Sequence, residues 1–274
     1  MIACLVKAAD AREDAEWRTS RLSTEDYVLR CFEEGFAVTP LLSVPGVSIQ
    51  TFRRDWLHAV DQGVAADFLG SFFKKILAKF EAPNRKARCR LLWLKIQEWY
   101  ATNDVQDRLV GLKCAGIQGT KGSPKLKGSA AAVRALVPFA AEYAAIHLDR
   151  TDLVENSIIV AAENLKLCYD CLHSSAPHWE VVLKNASKHF AIQYQSLQDH
   201  CGPKNWKVKP KMHVFLEICS DGTRPNLCWT YRDEDYGGSV SKLCRQRGKW
   251  TSVSIYSKKM LSHWRIQNPM PRIR

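Results

Sequence analysis

The sequence predicts a mainly α-helical chain with α/β character towards its carboxy-terminal end, on three observations. Val60, Val64, Phe68, Phe72, Ile76 and Phe80 recur every four residues, with Leu69, Phe73 and Leu77 beside them, which is a helical stripe. Three more helical patterns follow, at roughly residues 130–147, 152–172 and 179–200. After the turn CGPKN the pattern changes. WKVKPKMHVFLEICSDG sets Val208, Met212, Val214, Leu216 and Ile218 at a spacing that fits a strand or a helix beginning after Pro210.

The elements follow in order. The first residues are apolar, then charged, and Ser23 with Asp26 three positions on marks the start of a short helix ended by Gly35. Pro40, Pro45 and Gly46 predict an extended, turning connection. His58 opens the striped helix, which Pro83 ends. Gly63 within it costs helix stability unless packing needs it. RLLWLKIQEWYATND predicts a second helix with Lys95 and Glu98 facing out. Between Lys113 and Ser129 the chain is rich in Gly and Lys, predicting a long flexible loop whose lysines suit phosphate. It has neither the preceding strand nor the GKS or GKT ending of a P-loop. Pro138 predicts a kink or a starting turn in the next helix. The pattern over 152–172 is apolar nearly all round, which predicts burial. WTYRDEDYGG places three acids in the first turn of a last helix, where they complement its dipole. Organisation by region is then 1–58, 59–202 and 203–274, a lead-in, a helical block and a basic end.

Composition bounds the function. The chain has 274 residues, 46% hydrophobic and 25% charged, ordinary for a globular protein. Its net charge of +12 is uneven. Residues 203–274 carry 15 Lys and Arg against 5 Asp and Glu, and no acid follows Asp235. A one-sided basic end favours a polyanion, most simply nucleic acid. Glu142 interrupts the best apolar run, so no membrane span is expected. The ten cysteines, with no secretory signal before them, predict reduced thiols in a nuclear or cytoplasmic protein that is not secreted. Cys168 and Cys171, beside His173, form a lone CxxC, which reads as helix packing rather than zinc.

Two acidic places remain for chemistry, Asp55 and the Asp233–Glu234–Asp235 cluster, with Glu234 179 residues beyond Asp55. Read locally, Asp55 is either a helix cap or part of a metal site. Two-metal phosphoryl transfer needs several carboxylates around Mg2+ or Mn2+. DWLHAVDQGVAADFLG resembles the Asp-x-x-His motif, followed by Gly-Val, of the CACTA/Plavaka-type DDE transposases of the En/Spm superfamily. KPKMHVFLEI and CWTYRDEDYGGSVSKL resemble their Pro-Lys-x-His motif and the region of their third catalytic acid. The resemblance covers approximately residues 40–270.

That resemblance implies a partial RNase H-like core interrupted by a large α-helical insertion, with DNA as partner and Mg2+ or Mn2+ as cofactor. Asp55 and Glu234 would be catalytic and metal-binding, supported by His58, His213, Asp233 and Asp235. Lys242, Arg245, Arg247, Lys249, Lys258 and Lys259 would grip phosphate. The family's first catalytic Asp has no clear counterpart, since Asp10, Asp14 and Asp26 lie in no convincing strand. The expectation is therefore a fragment beginning inside the core, catalytically impaired because such groups act as a unit. The alternatives are a non-catalytic nucleic-acid-binding remnant and a translated relic. No small-molecule substrate is expected, and a homo-oligomer is compatible with the sequence.

Overall fold

Local capping chemistry sets most of the helix boundaries. Ser23 accepts the backbone N–H of Asp26 at 3.0 Å and opens α1 (Thr24–Glu33), and Gly35, at φ 71°, turns the chain away after it. The computed structural model describes residues 22–117 and 122–247, together with residues 258 and 262. Thr39 and Pro40 start a short 3-10 turn, Pro40–Ser43, where the prolines predicted extended chain. A second 3-10 turn, Ile49–Thr51, leads into the long helix that begins at Trp56.

The first nine residues of that helix after Trp56 are π-helical, Leu57–Ala65, and α2 (Ala66–Lys79) continues it. Periodicity predicted one continuous α-helix there. Asn84 caps α3 (Arg85–Thr102) by accepting the Ala87 N–H at 2.9 Å. Lys95 and Glu98 pair at 3.0 Å on its exposed side. After the short α4 (Cys114–Ile117), the chain from Ser123 to Leu126 crosses α2 rather than looping freely. There the Lys125 N–H donates to Ile117 and the Leu126 N–H to Ala66. The helix α5 (Ala130–His147) runs through Pro138, and Asp152 caps α6 (Leu153–His173), which is buried along much of its length. The helix α7 (Trp179–Cys201) ends at Gly202, at φ 79°. Pro210 occupies the first position of α8 (Pro210–Ser220), so the ambiguous stretch resolves to helix. No strand occurs among the described residues, which are mainly helical.

Two compact units result, Met1–Trp229 and Thr230–Arg274. In the first, α6 and α7 form the most extensive helix pair, and the π-helix packs against α2, α5 and α8. Its core is aromatic: Phe68 meets Phe72, Phe190 and Trp206, and Phe190 meets Phe215, with all five rings buried. In the second unit the described element is α9 (Tyr231–Arg247). No described helix is long and apolar enough to cross a membrane.

Candidate functional site

Asp55 immediately precedes Trp56, the first helical residue, and its carboxylate does the work of a cap. Oδ1 accepts the Leu57 N–H at 3.2 Å and Oδ2 accepts the His58 N–H at 3.0 Å. The His58 ring turns back so that Nδ1 meets the same Oδ2. The Asp-x-x-His spacing therefore closes on itself within one turn. Asp55 is largely covered, whereas the His58 side chain is 56% exposed.

Trp56, between them, anchors this turn in the core. Its ring is buried and makes edge contacts with Tyr169 at 5.5 Å and Phe215 at 5.9 Å. The Trp56 indole N–H has no hydrogen-bond partner among the described residues. One turn further on, Asp61 is fully buried and accepts the Tyr169 hydroxyl at 2.5 Å. Asp61 lies inside the apolar stripe, and no feature of its spacing singled it out.

The Pro-Lys-x-His helix packs against this same segment. His213, Glu217 and Asp221 follow one face of α8 and its cap at intervals of four. Arg54 Nε meets Glu217 Oε2 at 2.8 Å, Arg53 pairs with Asp221, and His213 Nε2 lies 3.6 Å from Glu217 Oε2. At the start of α8, the Lys211 ammonium donates to the His58 carbonyl at 2.5 Å. Gly63 makes room for this, because a Cβ there would stand 2.6 Å from the Lys211 Cδ. Two motifs about 150 residues apart in sequence thus form one packed unit. Arg53 and Arg54 immediately precede Asp55, whereas their partners Asp221 and Glu217 lie more than 160 residues on.

A half-buried ion pair also joins α2 to the residue before α8. Lys209 Nζ lies 2.7 Å from Asp67 Oδ1, and Asp67 is 5% exposed. Burial raises the Asp67 carboxyl above its ordinary range, against the pull of Lys209, Lys125 and Lys211. Burial also lowers the Lys211 ammonium, with Lys125 and Lys209 adding repulsion.

In the second unit, Asp233 and Glu234 occupy the first turn of α9, and residues 233–235 are exposed. The Glu234 N–H donates to the Thr230 carbonyl at 2.8 Å. Lys242 and Lys258 are exposed, and Arg245 donates to Ser241 Oγ at 3.0 Å. Lys249, Lys259 and the side chain of Arg247 lie outside the described residues.

Among the described residues no three His, Cys, Asp or Glu side chains gather as a metal site. Both Asp55 oxygens are engaged at the helix start, so a metal ion there would compete with the cap. Cys168 and Cys171 are buried free thiols on α6, as helix packing requires. Their thiols are raised by burial and, for Cys168, by the neighbouring Cys219. Comparison with family models, curated proteins and solved structures finds no match.

Proposed function

We propose that this chain is a transposase-derived, nucleic-acid-binding protein of DDE ancestry, with impaired catalysis. The observation that carries the reading is the packing of the Asp-x-x-His segment against the Pro-Lys-x-His helix through Lys211, Arg54 and Glu217. These are the two segments that the resemblance to CACTA/Plavaka-type transposases pairs. The reading includes a partial RNase H-like core around the helical block. Asp55 and Glu234 would be the residues of that ancestry that hold Mg2+ or Mn2+, and the ion would supply nucleophile activation in phosphoryl transfer.

The engagement of Asp55 in capping favours the non-catalytic branch of this proposal. Two N–H groups and an imidazole already use three of the roughly four acceptor sites of this carboxylate, so a metal ion there competes with the cap for its charge. In this reading the retained function is binding of duplex DNA, driven by phosphate contacts from the basic side chains.

The test is duplex binding and Mn2+ titration with the full chain, Asp55→Asn and Glu234→Gln. Salt-sensitive duplex binding is expected from all three proteins, with little strand cleavage. Absence of duplex binding at low salt would refute the proposal. Efficient Mn2+-dependent cleavage abolished by either substitution would replace impaired catalysis with a working enzyme.

A further inference from the structure

A row of lysines on the first unit follows the Asp-x-x-His helix itself. The loop between α7 and α8, together with the first turn of α8, contributes Lys204, Lys207, Lys209 and Lys211. This segment lies along the helix through side-chain contacts. Ser71 donates to the Asn205 carbonyl at 2.7 Å, and Lys74 Nζ donates to Asn205 Oδ1 at 2.9 Å. Lys209 pairs with Asp67, Lys211 reaches the His58 carbonyl, and Lys125 reaches the Gln62 carbonyl at 2.6 Å. Residues 58, 62, 67, 71 and 74 therefore make these contacts in turn along the helix. Between residues 58 and 74 the helix advances at most about 24 Å.

Much of this charge is not neutralised locally. Asp67 is buried and already taken by Lys209. Asp55 stands at the other end and acts on Lys211. Lys74, Lys204, Lys207 and Lys211 are exposed, and Lys204 and Lys207 form no ion pair among the described residues. Holding like charges in a row costs energy in water and more where stems are buried. A chain of anions offsets that cost along its whole length, whereas a single small anion meets one or two of the ammonium groups.

We infer that Lys74, Lys125, Lys204, Lys207 and Lys211, on a segment that Lys209 anchors to Asp67, form a phosphate-tracking strip that takes the backbone of a nucleic acid along the Asp-x-x-His helix. Phosphates in a duplex strand recur every ~3.4 Å of axis, and because the strand winds about that axis the strip meets a few of them before the backbone turns away. All of its lysines belong to the first unit. The strip rests on the nucleic-acid reading of the chain and assigns that binding to particular side chains.

The full chain, the Lys204→Gln/Lys207→Gln pair and the Lys204→Arg/Lys207→Arg pair are compared for binding of a labelled duplex across a salt series. These two lysines are exposed and outside the Asp67–Lys209 pair, and circular dichroism confirms that each protein is folded. The Gln pair is expected to flatten the log–log salt slope by about 1.8, roughly 0.9 for each lost phosphate contact, while the Arg pair keeps it. Duplex binding by the wild type with an unchanged slope in the Gln pair overturns the strip and leaves the nucleic-acid reading standing. Failure of the wild type to bind duplex, with binding to phosphatidylserine vesicles instead, overturns both.

Discussion

Gly70→Ala pits intrinsic helix propensity against tertiary packing, and the two predict opposite signs. In an isolated helix the change stabilises by about 1 kcal/mol. Here the new Cβ would stand 2.4 Å from the Lys125 N and Cα and 2.6 Å from its carbonyl carbon. Carbon contacts normally sit at about 3.5–4.0 Å, so the 123–126 segment has to retreat by roughly 1 Å. That retreat strains the Leu126 N–H bond to Ala66, 2.8 Å, and the Lys125 N–H bond to Ile117, 3.0 Å. Two weakened backbone bonds cost about 2 kcal/mol, and overpacking adds about 1–3 kcal/mol. After the propensity gain, a net loss of about 2 kcal/mol or more is expected. Urea denaturation followed by circular dichroism measures it. A variant more stable than wild type by about 1 kcal/mol would refute the close crossing of the chain over α2.

Other perturbations test the Asp55 turn and the buried ions. Asp55→Ala removes the acceptor for two N–H groups and is expected to cost about 1 kcal/mol by thermal denaturation, whereas Asp55→Asn, which keeps an acceptor oxygen, loses less. Lys209→Met strands the buried Asp67 carboxylate and is expected to cost about 3–5 kcal/mol at neutral pH. Because the folded Asp67 carboxyl is raised above its unfolded value, its charge opposes folding at higher pH. The Lys209→Met deficit should therefore shrink as pH falls through that carboxyl's range, in urea melts at pH 7 and pH 4. Glu155 behaves oppositely: burial pushes its carboxyl up, but Lys79 at 2.6 Å and the Asp149 N–H at 3.0 Å bring it to a net lowered value. Its stabilisation is present above the unfolded value of about 4.3 and is lost as pH falls through the lowered folded value, so Glu155→Gln should flatten that acid limb.

The helices were legible because their signals are local. Ser23, Ser129 and Asp152 sit where capping chemistry needs them, and the four-residue stripe from Val60 to Phe80 fixes the buried face of one long helix. The π-helical register of Leu57–Ala65 was not legible, because nothing in the local period marks it. Lys211 and Lys125 satisfy carbonyls there, and the Lys211 stem occupies the space that Gly63 leaves. Period alone could not separate strand from helix after Trp206. Pro210 as a first helical residue and the burial of Met212, Phe215, Leu216 and Cys219 on one side settle it as helix. At the candidate site, Asp55 was legible both as a cap and as a carboxylate of interest. Its companions were not, since Asp61, Asp67, Glu217 and the lysine row acquire meaning only when residues far apart in sequence meet.

Duplex DNA affinity of the full chain, measured by fluorescence anisotropy from about 50 to 200 mM salt, bears most directly on the proposed function. Saturable binding is expected, with an affinity whose logarithm falls linearly with the logarithm of salt at a slope matching several released phosphate counterions. An affinity indifferent to salt, or no saturable binding at the low-salt end, would contradict it.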